Sequence, residues 1–137
     1  MKLIYPVLAQ MLWTFAVILM AARARVGSVK AREVTLGQIA LSGEAWPDRI
    51  RAFGNNMNNQ FETPTLFYAL AGVAIFVGAT GWGMAMLAWG YVATRVVHTL
   101  IQTGGNDVLS RFRAFAAGVF LLMALWAGVV LKLIGVV

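Results

Sequence analysis

The chain contains no cysteine. Disulfides, thiolate metal ligands and a cysteine nucleophile are therefore excluded. It has one histidine, His98, so no metal site is expected. No Ser-His-Asp arrangement, P-loop or dinucleotide fingerprint occurs along it, and no internal repeat. Charge is scarce as well. Five acidic residues stand against eleven lysines and arginines, and charged residues make up 12% of the chain. Soluble domains carry about 25%.

Apolar residues take that place. The chain is 61% hydrophobic, with a mean hydropathy of +0.78. A single domain of 137 residues cannot hide so much apolar surface from water, so it is expected to sit in a bilayer, in contact with membrane lipid. A net charge of +6 would suggest nucleic acid in a soluble protein. Here most basic residues gather in two short polar segments. Membrane topology and anionic lipid explain them, and no nucleic-acid partner is expected.

Three stretches are free of charge: Leu3–Ala22, Thr63–Thr94 and Ala114–Leu131. The first holds 20 residues, longer than the apolar region of a typical signal peptide, and is expected to be a retained transmembrane helix. The middle one holds 32, which as one helix would measure about 48 Å. That exceeds a hydrocarbon core of roughly 30 Å. The run G-A-T-G-W-G at 78–83 also interrupts it. The sequence thus predicts one all-α domain over 1–137, an integral membrane four-helix bundle. Its spans fall at about 3–23, 55–78, 82–103 and 110–134. W-P-D at 46–48 is expected to start a short helix. The polar connections hold Arg23, Arg25, Lys30, Arg32, Arg49 and Arg51 in one case and Arg111 and Arg113 in the other. Positive-inside bias puts both in the cytoplasm and both termini outside.

The hairpin is too short for two full spans, so each helix must draw its far end from polar sequence. Measured from the turn near Thr80, Glu62 lies about 27 Å away, Arg95 about 22 Å and His98 about 27 Å. Glu62 and His98 are expected level with each other, inside the cytoplasmic third of the membrane. Asn55, Asn58 or Asn59, and Glu62 would share one helical face, as would Arg95, His98 and Gln102. Two such stripes at one depth imply a polar pocket, and the nearby arginines suit it to carboxylates and other anions. A plainer reading stays open. Arg95 and Glu62 can form a structural ion pair, with the asparagines joining helices, His98 packing, and the flanking arginines anchoring at the interface.

The segments N-Q-F-E-T-P-T-L-F-Y and R-V-V-H-T-L-I-Q, with the four expected spans, resemble one family over nearly the whole chain. It is the membrane-associated proteins in eicosanoid and glutathione metabolism, the MAPEG family. The family's Asn-x-x-Glu with a following proline is matched by Asn59, Glu62 and Pro64. The Arg-x-x-His of prostaglandin E synthase-like members is matched by Arg95 and His98. Arg111 falls 16 residues after Arg95, similar to the spacing to the arginine that activates the glutathione thiol. The N-x-x-N-x-F-E-x-P form looks like the bacterial branch, which implies a bacterial inner membrane.

The resemblance implies a homotrimer of four-helix protomers with glutathione between neighbouring subunits on the cytoplasmic side. It also implies transferase or peroxidase chemistry on lipophilic small-molecule electrophiles. Arg111 would activate the thiol, with Arg113 as its substitute. Arg51, Asn55, Asn59, Glu62, Arg95, His98 and Gln102 would bind the tripeptide. The sequence departs from the family in places. Asn55 stands where eukaryotic members often carry arginine, Gln102 stands where tyrosine is common, and Pro64 follows Glu62 by two residues. Asn55 and Asn58 offer a second register, with Arg51 four residues before and Asn58 in the glutamate position. The family also includes a non-enzymatic lipid-binding activator, so a non-catalytic lipid-binding or scaffold protein of this fold is the alternative. A small four-helix exporter would place a carboxylate in its first helix, and Leu3–Ala22 has none.

Overall fold

The computed structural model describes residues 2–135. Among these, the regular elements are all helices: α1 Ile4–Lys30, α2 Leu36–Ile39, α3 Asp48–Asn59, α4 Thr63–Phe76, α5 Trp82–Thr103 and α6 Val108–Leu133. Three of them, α1, α5 and α6, are long and apolar enough to cross a membrane. Burial is inverted relative to a soluble protein. Leu12, Phe15, Phe120 and Trp126 face outward, while Gln10, Asn56, Gln60, Arg95 and Gln102 are buried. Lipid tolerates the first group, and the second must find partners inside the protein.

The prolines mark helix starts. Pro47 caps α3, Pro64 lies in the first turn of α4, and Pro6 lies in the first turn of α1. Proline is tolerated there because the missing N–H would have no partner in the helix. The helix expected to begin at Asp48 after W-P is present as α3. Glycine sets the turn between α4 and α5. Gly78 has φ +75°, and the N–H groups of Gly78 and Ala79 reach back to the carbonyls of Ile75 and Ala74 at 3.2 and 2.8 Å. This is a Schellman closure, which needs a left-handed residue after the helix.

The continuous helix expected over 55–78 is broken. Residues 60–62 separate α3 from α4. Pro64 supplies the reason: it cannot donate to the carbonyl of Gln60, and its ring would collide with that carbonyl in an unbroken helix. The two pieces still run antiparallel to α5 in one register. Tyr91 pairs with Thr63, Arg95 with Asn59, and Gln102 with Asn56. Gln60 also reaches Thr99 Oγ1 at 3.5 Å, and Glu62 shares a cavity lining with Gln102.

The loop after α1 is tied down at Glu33. The Ser28 hydroxyl donates to its carboxylate at 2.6 Å, and Arg49 donates at 2.8 and 2.9 Å. These contacts, Ser28 first and Arg49 second, hold the Glu33 carboxyl below its ordinary pKa of 4.5. A carboxylate with a lowered folded pKa stabilises the fold above its ordinary value, and the contribution disappears as pH falls through the lowered one. Amide protection in residues 31–47 is therefore expected to fall as pH drops below about 4.5. Glu33→Gln should remove that dependence. Hydrogen exchange, corrected for intrinsic rates, measures both.

Candidate functional site

Where the helix breaks, backbone groups lose their partners, and a membrane interior offers no water to replace them. The structure answers with side chains. Arg95, 2% exposed, donates from Nη2 to the carbonyl of Asn59 at 3.0 Å, at the end of α3. A guanidinium is well placed against the negative end of a helix. Tyr91 donates to the Thr63 hydroxyl at 3.1 Å on the other side of the break. Gln10 on α1 reaches the Gln60 side chain at 3.2 Å, and Trp13 donates to Thr99 at 3.4 Å. Together these contacts form a buried polar seam.

The plainer reading from sequence is thus half right in kind and different in partner. Arg95 is structural in its observed contact, but that contact is a backbone carbonyl. Among the described residues, the ion pairs are Arg49–Glu33 and Arg51–Asp48. Glu62 lies past the break, so it does not share a helical face with the asparagines.

The structure nevertheless brings Glu62 and the asparagines to one cleft. A cavity of about 340 Å³ is lined by Asn55, Asn58, Asn59, Glu62, Gln102 and Arg111. A second of about 260 Å³ shares Asn55, Gln102 and Arg111 and adds Arg51, Asp48 and Asn106. Six of the sequence-derived candidates meet here: Arg51, Asn55, Asn59, Glu62, Gln102 and Arg111. Gln102 is fixed by two donors on α3, Asn56 at 2.9 Å and Asn59 at 3.1 Å, which orient its side-chain oxygen. Arg111, half-buried, donates from Nη1 to the Asn106 side-chain oxygen Oδ1 at 2.7 Å. Asn106 can serve because it sits in the left-handed turn before α6, at φ +50°.

Arg111 also borders a smaller, more apolar cavity of about 210 Å³, with His98, Val108, Phe112 and Phe115. His98 is buried, its ring 6.4 Å from that of Phe115, and its Nδ1 has no partner. His98 therefore meets Arg111 on a different side from the asparagines. Arg113 is exposed on α6, next to the cap formed where Asp107 accepts from the Ser110 N–H at 2.8 Å. Ser110 holds the Asp107 carboxyl below its usual range. Arg95 lines neither of the two polar cavities; it bonds to the backbone carbonyl of Asn59, which lines the larger one.

Three residues were missed from sequence. Asn56 and Gln60 are buried beside the asparagines that were singled out; Asn56 donates to Gln102, and Gln10 on α1 is the partner of Gln60. A signal was present for Gln10, the lone amide in a 20-residue uncharged run.

A helical bundle with lipid-facing apolar surfaces and a polar cleft at one end is an integral membrane protein. The family model for MAPEG matches residues 3–131, nearly the whole chain, and the chain belongs to the MAPEG family. Curated proteins and solved structures yield no match to it.

Proposed function

We propose that the chain is a glutathione-dependent transferase or peroxidase acting on lipophilic electrophiles. The observation that supports this most is the position of Arg111, between a polar cleft and an apolar cavity. The donor set fits the tripeptide. Arg51 and Arg111 are cations for its two carboxylates or its thiolate, Glu62 is an anion for its ammonium, and Asn55, Asn59 and Gln102 suit its amides. The joined cavities of about 340 and 260 Å³ lie in the size range of small-molecule sites.

Bound there, glutathione would supply a nucleophilic thiol. Arg111 stabilises negative charge beside it, and an adjacent cation favours the thiolate at neutral pH. Asn106 restrains the guanidinium so that little reorganisation is needed. Phe112 and Phe115 offer an apolar wall for an electrophile arriving from the bilayer. Arg95 acts indirectly, by holding the α3 end on which Asn59 sits. Family resemblance adds a homotrimer whose neighbours complete the site. Positive-inside bias adds a cytoplasmic cleft and both termini outside, and the resemblance to the bacterial branch adds a bacterial inner membrane.

Titration of the purified protein with glutathione by calorimetry tests this reading. Binding is expected in the millimolar range or tighter, and Glu62→Gln should weaken it about tenfold. No binding at millimolar glutathione would favour the non-catalytic lipid-binding reading. That reading has its own support in an apolar groove of about 350 Å³ between α4 and α6, lined by residues such as Leu66, Leu70, Met123 and Trp126.

A further inference from the structure

A third polar cavity, of about 310 Å³, lies between α1, α3 and the loop before α3. Arg25, Glu44, Trp46 and Arg51 line it. We propose that it seats the headgroup of a membrane phospholipid carrying both a phosphodiester and a primary ammonium. Its depth is the first reason. The uncharged run of α1 ends at Ala22, and Arg25 lies three residues on, about 4.5 Å further along the axis. Because 20 apolar residues match the hydrocarbon core, Arg25 falls among headgroups, where tryptophan also settles.

The second reason is how Arg25 is held. Its guanidinium lies over the Trp46 ring, 5.9 Å from the centroid. On the other side is α3 at Gly54, where a Cβ would approach Arg25 Nη2 to 2.9 Å. The side chain is thus laid between a ring and a bare stretch of helix. Its Nε is buried without a partner, and among the described residues no carboxylate pairs with it. A cation fixed in place with unused donors is preorganised for an anion.

The third reason is the charge pattern. Arg51 pairs with Asp48 only at 3.4 Å and at the surface, a contact worth little, and it stands on the wall between this cavity and the cleft assigned to glutathione, lending positive charge to both. Glu44 is the lining carboxylate. Two guanidiniums and one carboxylate complement a phosphate with an ammonium beside it. A glycerol headgroup would leave Glu44 facing the phosphate without compensation. A choline headgroup has no N–H to donate. Selectivity then comes from a difference between headgroups.

Arg51, Asn55 and Asn58 border both this cavity and the cleft assigned to glutathione, whereas Arg25, Glu44 and Trp46 line this one alone, so variants at Arg25 and Glu44 test the proposal separately. The test reconstitutes the full chain in phosphatidylcholine vesicles containing equal minor fractions of phosphatidylethanolamine and phosphatidylglycerol. Lipid retained after extraction is counted by native mass spectrometry. Phosphatidylethanolamine is expected to be enriched about tenfold over either competitor. Arg25→Gln should reduce its retention, and Glu44→Gln should abolish its advantage over phosphatidylglycerol. Glu44 is exposed, so that variant is expected to fold, and an unchanged glutathione titration checks it. Equal retention of the three lipids, a preference for phosphatidylglycerol, or an unchanged preference in Glu44→Gln would overturn the proposal. Displacement of the lipid by millimolar inorganic phosphate would overturn the lipid as its source.

Discussion

Arg111→Ala is expected to lower kcat for conjugation of a chromogenic electrophile about a hundredfold, comparable to losing one preorganised charge-stabilising donor. Glutathione affinity should change much less, because Asn55, Asn59, Glu62 and Gln102 line the same cleft and remain. A residue needed only to bind the tripeptide would instead raise KM and spare kcat. Asn106→Ala should reproduce part of the kcat loss. It leaves the charge in place but releases the guanidinium from its 2.7 Å contact. Arg113→Ala should leave kcat near that of the parent, because Arg113 is exposed. A kcat loss in Arg113→Ala equal to that in Arg111→Ala would move the thiol-activating role to that neighbour.

The second large effect concerns stability. Arg95→Ala is expected to cost about 3 kcal/mol, summing an unpartnered carbonyl in a water-poor interior and a cavity where a long side chain was. Arg95→Met fills the space and should recover the packing part only. Arg95→Lys should recover more, since its ammonium can reach a carbonyl. Equilibrium unfolding in detergent, read by tryptophan fluorescence, orders the variants. Any Arg95 variant that folds should bind glutathione within about threefold of the parent. A large affinity loss with unchanged stability would show Arg95 to be a ligand and not a support for the helix end.

Much of this was legible in the sequence because bilayers impose simple rules. Lack of charge marked α1, α5 and α6, the three helices long and apolar enough to cross a membrane, and G-A-T-G-W-G marked the turn that Gly78 closes. The grouping of Asn55, Asn59, Glu62, Gln102 and Arg111 was also legible from depth and spacing, although one assumption behind it failed. Pro64 was read as a motif residue, while its missing N–H and ring bulk divide the helix and move Glu62 off the asparagine face. The division leaves the α3 end to be satisfied by Arg95, which donates to the Asn59 carbonyl, while the buried amides that spacing did not single out bond mainly to other side chains. Gln10 and Gln60 meet across 50 positions, a pairing no local pattern contains. Arg95 shows the same limit. Its spacing from His98 suggested a shared ligand, whereas packing turns one toward the α3 end and the other toward Phe115.

The central claim is that Arg111 holds glutathione as a thiolate at neutral pH. Ultraviolet difference absorbance of the purified protein with increasing glutathione measures that species directly. The account predicts a thiolate band that saturates with glutathione and is lost in Arg111→Ala while binding heat persists. Saturable binding heat with no thiolate band in the parent protein would contradict it.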